Sequence, residues 1–258
     1  MKIKKGDFVT RKSYDHDTIF KVTNIKNNIY YLKGLDVRLY ADSNAKDLVK
    51  FEEEIVEEDF LDKVKDELIL DRSEFFYMPA KILHIDGDDE YLNRCLKFYK
   101  EAGVFAVGKK THEIDIASNI GSYLEEIKPD VIIITGHDAY YRKKGNIENI
   151  KNYKNTENFV KAVREARKYE KSHEKLVIIA GACQSYYEEL IKAGANFASS
   201  PKRVNIHALD PAIIAVTVSL TEKFKEIDLI NMLEKTKYGS EGMGGIMCNG
   251  LMYVGYPR

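Results

Sequence analysis

The chain has 258 residues, and its 40 Lys and Arg residues nearly balance its 41 Asp and Glu residues, giving a formal net charge of -1 at pH 7. This balance provides no global field that would indicate binding to nucleic acid or to an anionic membrane. Three widely spaced cysteines argue against a disulfide framework and for reduced thiols. No apolar stretch indicates a signal peptide or approaches the roughly 18 residues of a membrane span. We therefore expect a cytoplasmic protein without nucleic-acid or membrane partners.

The first 50 residues alternate apolar and polar side chains in short runs at residues 7–11, 18–23, 29–33 and 37–39. Turn residues such as Asn27 and Asn28 separate the runs. Short strands at this spacing predict a small SH3-like β-barrel domain over residues 1–50. This domain is interpreted either as a docking module for a protein partner or as an appendage that aids folding and solubility.

Residues 51–78 are rich in acids and carry apolar residues at roughly helical spacing. This pattern predicts a solvated, acidic helical linker between two domains.

From residue 79 to residue 258 the pattern changes to alternating strands and helices, which is typical of a three-layer, doubly wound α/β domain with a mostly parallel sheet. We expect the strand order 2-1-3-4-5, followed by a last helix at residues 224–235 and a hairpin within residues 239–255. The predicted strands cover residues 81–85, 104–107, 131–134, 176–180 and 196–199, and the predicted helices residues 89–102, 113–127, 158–171 and 185–193.

Two matched stretches, Asp130–Asp138 and Lys175–Ser185, each consist of a buried apolar strand followed by a turn that contains glycine. His137 follows the first strand, and Cys183 follows the second. A helical segment separates the two strands, so a right-handed crossover should bring their carboxyl ends side by side. The sequence therefore predicts that His137 and Cys183 lie close together.

A cysteine and a histidine in this arrangement fit covalent peptide hydrolysis, which needs a thiolate, a group that manages protons and amide donors for the oxyanion. Cys183 is expected at or just before a helix start, where the helix dipole lowers a thiol pKa. The alternative is that the cysteine is a small buried hydrophobe and the histidine is structural. Cys95 lies on an apolar helix face and is interpreted as core, and Cys248 has no visible partner.

The histidine precedes the cysteine, each after its own strand, and this order is typical of caspase-like peptidases. Glutamine amidotransferases also have a nucleophilic cysteine in such a turn, but in them the cysteine comes first. The chain resembles more specifically the YabG-type sporulation-specific peptidases, over nearly its whole length. The segments that carry the resemblance are Arg11–Tyr14, Val37–Ser43, Leu83–Asp88, Ile134–Tyr140, Gly181–Ser185 and the long block Ala193–Pro211.

The resemblance implies a peptidase of sporulating bacteria that cleaves spore coat and germination-related proteins after basic residues, notably Arg. It assigns His137 as general base and Cys183 as nucleophile, with the backbone amides of Asp138 and Cys183 facing the oxyanion. Asp138 departs from the wider caspase-like pattern, in which glycine usually follows the histidine. No metal or organic cofactor is required for this chemistry, and association with the spore coat is expected.

Cleavage after Arg requires a carboxylate in the S1 pocket, because a guanidinium pairs best with a bidentate anion. The first strand ends in an acidic run at the same sheet edge, so Asp86 is the first candidate and Asp88 the second, with Asp138 and Asp210 in reserve. The alternative is an acid cluster that stabilises a helix N-terminus. His84 and His207 are interpreted as structural, and the turn Ser199–Pro201 as a possible pocket wall.

Two other classes of function remain open from the residues alone. The acid cluster after the first strand could hold Mg²⁺ in a receiver-like phosphoacceptor domain. Receivers carry the phosphoacceptor Asp at the end of the third strand, where this chain has Thr135. A binding protein for spore assembly without catalytic activity is the other alternative.

Overall fold

The computed structural model describes residues 3–51 and 73–257, and the chain divides into two compact units, Met1–Glu58 and Asp59–Arg258. Most of the predicted acidic linker, residues 51–78, lies outside the described residues. The described end of that segment, Phe76–Met78, is a β-strand rather than a helix. Within the described residues, no helix combines the length and the apolar character needed to cross a membrane.

The first unit is an antiparallel sheet of five strands. The strands are β1 (Phe8–Arg11), β2 (Phe20–Lys26), β3 (Ile29–Gly34), β4 (Tyr40–Asn44) and β5 (Leu48–Lys50), and a 3-10 turn covers Lys12–Tyr14. Their order in the sheet is β4-β3-β2-β1-β5, and alternating side chains are buried, as the period-two pattern predicts. Asn27 and Asn28 both have positive φ, 52° and 61°, and join β2 to β3 in a tight hairpin.

The prediction of a fourth strand at residues 37–39 is wrong. This segment folds back over the end of β3, where the amide of Gly34 donates to the carbonyl of Leu39 at 2.7 Å. A Cβ on Gly34 would lie 2.3 Å from the carbonyl oxygen of Val37, so the close approach requires glycine. The strand pairing resumes only with β4, and β5 was not predicted.

The second unit is built on a six-stranded sheet and a separate two-stranded sheet. The strands are β6 (Phe76–Met78), β7 (Ile82–Asp86), β8 (Ala106–Lys110), β9 (Val131–Thr135), β10 (Val177–Ala180), β11 (Phe197–Ser199), β12 (Met243–Gly245) and β13 (Tyr253–Gly255). The six-stranded sheet has the order β12-β11-β10-β9-β7-β8, in which the five parallel strands confirm the predicted order 2-1-3-4-5 and β12 adds an antiparallel edge. Strands β6 and β13 pair antiparallel in the separate sheet.

Helices pack on both faces of this sheet, so the unit has three layers. The helices are α1 (Asp89–Glu101), α2 (Ile116–Ile127), α3 (Thr156–Tyr169), α4 (Tyr187–Ala193), α5 (Asp210–Leu220), α6 (Leu229–Glu234) and α7 (Gly239–Gly242), with 3-10 turns at Arg142–Lys144 and Ile150–Asn152. On one face α2, α3 and α4 bury an aliphatic core with side chains such as Ile132, Ile134 and Ile178. On the other face α1 packs against β7 and β8, and α5 against β9 and β10.

The C-terminal part differs most from the prediction. Helix α5 was not predicted, and α6 begins at Leu229 rather than at residue 224, because Asp228 caps it by accepting from the amide of Asn231 at 3.1 Å. The predicted hairpin within residues 239–255 is wrong, since β12 pairs with β11 and β13 pairs with β6. A Cβ on Gly245 would lie 2.2 Å from Cδ1 of Phe197, so glycine permits this edge pairing.

Candidate active site

His137 and Cys183 follow neighbouring strands at the same level. Ile134 on β9 is in register with Ala180 on β10, and His137 and Cys183 each lie three positions beyond these residues. Adjacent parallel strands are about 4.8 Å apart. The loop that carries the histidine and the loop that carries the cysteine therefore leave the same sheet edge side by side, as the sequence predicts.

Hydrogen bonds tie the two loops together on both sides of these residues. The hydroxyl of Thr135 donates to the carbonyl of Gly181 at 2.8 Å. Further along, the hydroxyl of Ser185 donates to Oδ2 of Asp138 at 2.8 Å. The amide of Tyr140 also donates to the side-chain oxygen of Gln184 at 3.2 Å. The two loops thus form one hydrogen-bonded assembly.

Carboxylates surround the ring of His137, whose side chain is 8% exposed. Nδ1 lies 3.4 Å from Oε1 of Glu113, and the same oxygen accepts from the amide of His137 at 2.8 Å. Nε2 lies 3.6 Å from Oδ2 of Asp88. The ring centroid is 5.9 Å from that of Tyr91. Each ring nitrogen therefore faces an acidic side chain.

The sulfur of Cys183 is fully buried and lies against the backbone of Ile206. It accepts from the amide of Ile206 at 3.3 Å and lies 3.7 Å from the carbonyl oxygen of that residue. The helix after the cysteine begins only at Tyr187, so a loop separates Cys183 from it. The predicted placement at the helix start, and the dipole argument built on it, are therefore wrong.

The residue after the cysteine has an unusual backbone. Gln184 adopts a left-handed conformation with φ 57°, which costs on the order of 1–2 kcal/mol for a residue other than glycine. Its amide donates to the carbonyl of Val204 at 3.0 Å and to the hydroxyl of Ser200 at 2.9 Å. These bonds hold the turn that presents Cys183.

Asp138 is a buried anchor between the loops. Oδ1 accepts from the amides of Ala139 at 2.9 Å and Asn155 at 2.7 Å, and Oδ2 accepts from the hydroxyls of Ser185 and Thr156. Burial raises the pKa of this carboxyl, although the four donors oppose the shift. Among the residues that the structure describes, the Asp138 amide itself has no acceptor. The carboxylate explains why aspartate can stand where glycine was expected.

The predicted S1 acids lie at the same edge but have internal partners. Asp86 is fully buried, with Oδ1 accepting from the amide of Asp88 at 2.9 Å and Oδ2 3.5 Å from Nε2 of His84. Oδ1 of Asp88 caps α1 by accepting from the amide of Glu90 at 2.9 Å. Asp210 accepts from the amide of His207 at 2.8 Å and thereby holds the start of its own helix. Asp88 thus lies at a helix N-terminus, as the alternative interpretation of the acid cluster expects.

Glu113 contacts the histidine but was not singled out from the sequence. It follows β8, and β7 lies between β8 and the strand that precedes His137. The signal available in the sequence was an acid at the carboxyl end of a parallel strand. The pattern of strands and helices in the sequence does not show how far each side chain extends across the sheet edge. It therefore could not indicate which carboxylate reaches the histidine.

The remaining candidates lie apart from this assembly or have structural contacts. Nδ1 of His84 is 2.7 Å from the hydroxyl of Tyr99, and the thiol of Cys95 donates to the carbonyl of Ala208 at 3.5 Å. Burial raises the pKa of Cys248 to about 11, which disfavours a thiolate there.

Ser199 is fully buried at the end of β11, next to the strand that precedes Cys183. Its hydroxyl has no hydrogen-bond partner within residues 3–51 and 73–257.

In the same ranges no group of three His, Cys, Asp or Glu side chains could hold a metal ion.

Comparison with known proteins identifies the family. The model of the YabG peptidase U57 family matches residues 4–69 and 62–257. A curated relative, the sporulation-specific protease YabG of Bacillus subtilis (strain 168), is 40% identical over 286 aligned residues that cover 100% of this chain and 99% of the relative. Membership of a peptidase family does not fit the receiver-like interpretation, and Thr135 occupies the position where a receiver has its phosphoacceptor Asp. The chain therefore belongs to the YabG peptidase U57 family and is a peptidase.

Proposed function

We propose that this peptidase is a cysteine endopeptidase in which Cys183 is the nucleophile and His137 the acid–base group. One observation carries the proposal: the two residues stand at the same level beyond neighbouring, in-register strands, on loops that are hydrogen-bonded to each other. The buried aliphatic strands below them provide a rigid base.

In the proposed mechanism the thiol proton passes to His137, and the sulfur of Cys183 attacks the carbonyl carbon of the scissile bond. The resulting oxyanion accepts hydrogen bonds from the amides of Asp138 and Cys183. His137 then donates its proton to the leaving amine as the carbon–nitrogen bond breaks, which leaves an acyl-enzyme. Water, deprotonated by His137, attacks the thioester and releases the acid and the free thiol.

Two features of the loops support these roles. The left-handed Gln184 resembles the strained turns that present nucleophiles in other hydrolases, and such strain persists only where surrounding contacts hold it. The Asp138 amide, without an acceptor in the described parts of the chain, is available to an oxyanion. Because the backbone of Ile206 covers the sulfur, productive substrate binding requires this segment to move away from the thiol.

Specificity for Arg is part of the proposal, with a carboxylate at the same edge as the S1 determinant. Asp88 is a better candidate than Asp86, which reverses the sequence-based order. Asp86 is fully buried between His84 and the amide of Asp88, whereas Oδ2 of Asp88 faces His137. Loss of the preference for Arg over Lys or norleucine in Asp88→Asn, with retained fold, would support this assignment.

We further propose that the substrates are spore coat and germination-related proteins of a sporulating cell, processed in its cytoplasm or at the spore coat. The name of the Bacillus subtilis relative, a sporulation-specific protease, supports this setting. The parallel sheet with helices on both faces fits a caspase-like domain, and the five-stranded N-terminal sheet fits an SH3-like barrel. The proposed domains cover residues 1–50, 51–78 and 79–258, and the first is a docking module for a protein partner.

Hydrolysis of fluorogenic peptides that end in Arg tests the proposal. Cys183→Ala should abolish turnover, whereas Cys248→Ala, in a half-buried loop, should retain it. Cys95→Ala is a second control, and circular dichroism should show that each variant is folded. Equal turnover in Cys183→Ala and the wild type would refute the nucleophile, and no turnover of peptides or spore coat proteins by the wild type would favour a binding role.

A further inference from the structure

We propose that Glu113 is a positioning residue of the peptidase site, which fixes the orientation and the tautomer of the His137 ring. The inference rests on the proposed function, because that function gives His137 its acid–base role. Glu113 acts through the histidine, so it is not itself a catalytic residue.

The Glu113 side chain crosses the end of one strand to reach His137. Glu113 follows β8, the edge strand, whereas His137 follows β9, and β7 runs between these two strands. The carboxylate must therefore extend over the end of β7 to reach the histidine. Its Oε1 nevertheless accepts from the amide of His137 at 2.8 Å and lies 3.4 Å from Nδ1 of the ring.

Two glycines clear this path. Asp86 on β7 pairs with Lys110 on β8 and with Thr135 on β9, so Gly87 and Gly136, which directly follow β7 and β9, stand at the same level. A Cβ on Gly87 would lie 2.4 Å from Oε1 of Glu113, and a Cβ on Gly136 would lie 2.5 Å from the same oxygen.

Neither of these glycines has a positive φ, so the backbone does not require glycine at either position. What both positions require is the absence of a side chain. The two glycines, each directly after a different strand, therefore form a cradle for one carboxylate.

The charge of Glu113 suits this role. Burial tends to raise the pKa of its carboxyl, but hydrogen bonds from the side chain and the backbone of His137 outweigh burial, and the pKa is lowered. An anion beside Nδ1 favours the proton on that nitrogen, which leaves Nε2 to exchange protons. Among the described groups that also face the ring are Asp88, with Oδ2 3.6 Å from Nε2, and the ring of Tyr91.

Kinetics of Glu113→Gln and Glu113→Asp give the first test. Glutamine keeps the size and an oxygen acceptor but removes the charge, so kcat should fall about 10²-fold, at the lower end of what positioned proton transfer contributes, while KM stays unchanged. Aspartate keeps the charge and should restore part of kcat. A rise in KM with constant kcat, or equal losses in both variants, would contradict a positioning role.

The ¹⁵N chemical shifts of the His137 ring give a readout that does not depend on activity. In a Cys183→Ala background, Glu113→Gln should change the ¹⁵N shifts of Nδ1 and Nε2, because the anion that favours the proton on Nδ1 is lost. Unchanged ¹⁵N shifts would refute the inference about Glu113. If these shifts change but Cys183 proves dispensable for hydrolysis, the proposed dyad fails while the contact stands.

The glycine cradle offers an independent test with a matched control. Gly87→Ala should push the carboxylate away and reproduce the loss of kcat of Glu113→Gln, and adding Glu113→Gln to Gly87→Ala should cause little further loss. Gly121→Ala is the control, because a Cβ on Gly121 in α2 meets nothing within 4 Å. Wild-type kcat in Gly87→Ala, or additive losses in the double variant, would overturn the cradle.

Discussion

The loop after β9 and the loop after β10 leave the sheet at the same level, yet different interactions hold them. Acidic side chains that follow other strands, Glu113 and Asp88, contact His137 in the first loop. Cys183 in the second loop lies against main-chain atoms of Ile206 and next to a left-handed residue. The histidine loop is therefore organised by electrostatics, and the cysteine loop by backbone geometry.

This difference determines what each loop should tolerate. Electrostatic support orients the ring of His137, so its loss should appear in kcat. Backbone support determines the conformation of the turn that carries Cys183, so its loss should appear in stability. Asp138 belongs to the first loop but binds Ser185 of the second, so changes there should affect both.

Apart from Cys183→Ala, the largest effect is expected for His137→Ala. Removal of the acid–base group should lower kcat by about 10³- to 10⁴-fold, because no other described group at Cys183 is shown to replace its proton transfer. His173→Ala is the matched control, since His173 is exposed and lies outside the two loops. A loss below tenfold in His137→Ala would mean that the histidine is structural.

A large loss of stability is expected for Asp138→Ala, which cuts the link between the loops. The change leaves the amides of Ala139 and Asn155 without their acceptor, and also frees the hydroxyls of Ser185 and Thr156. The free energy of unfolding in urea should fall by about 3 kcal/mol, and turnover should fall with it.

Asp130→Ala is the control for that measurement. Asp130 precedes the same strand, is exposed and accepts from the amide of Lys81 at 2.8 Å. Its loss should cost about 1 kcal/mol. Similar costs for the two variants would show that Asp138 is an ordinary surface acceptor and does not link the loops.

The sequence allowed the sheet to be predicted because its strands are apolar runs bounded by turns. Runs such as Val131–Thr135 are buried on both faces, and the alternation with amphipathic helices determined the strand order. Helix α5 escaped the same reasoning. Nearly all of its residues are buried, so it has no polar face and no helical periodicity to detect.

The C-terminal hairpin was predicted because the segment is rich in glycine, which is common in turns. This interpretation of the glycines was wrong. Gly245 and Gly255 permit close packing, against Phe197 and Phe76 respectively, and do not form a turn between their own strands. A glycine indicates that a Cβ is not tolerated, but only tertiary structure shows what takes its place. Gly87 and Gly136 gave the same incomplete signal for Glu113.

The loops also differ in how their carboxylates should depend on pH. The folded pKa of Glu113 is lowered, so its contribution to stability is present above its unfolded value of 4.5 and is lost as the pH falls through the folded pKa. The folded pKa of Asp138 is raised, so its contribution is present below 3.8 and is lost as the pH rises through the folded pKa.

Urea unfolding between roughly pH 3 and pH 7 should reveal these opposite slopes. The stability advantage of the wild type over Glu113→Gln should grow as the pH rises, and its advantage over Asp138→Asn should shrink. Parallel slopes for the two variants would show that the two carboxyls have similar environments.

The smallest effect isolates the backbone of the cysteine loop. Gln184→Gly and Gln184→Ala both remove the side-chain hydrogen bonds to the amide of Tyr140 and to Asn205, so they differ only in the conformational preference of the new residue. At φ 57° glycine is unstrained and alanine is not, so Gln184→Gly should be more stable by about 1 kcal/mol. In an ordinary right-handed or extended conformation alanine would instead be the more stable, because glycine loses more entropy on folding. The sign of this difference, measured by urea unfolding, therefore reports whether the turn beside Cys183 is held in the left-handed conformation or relaxes in solution.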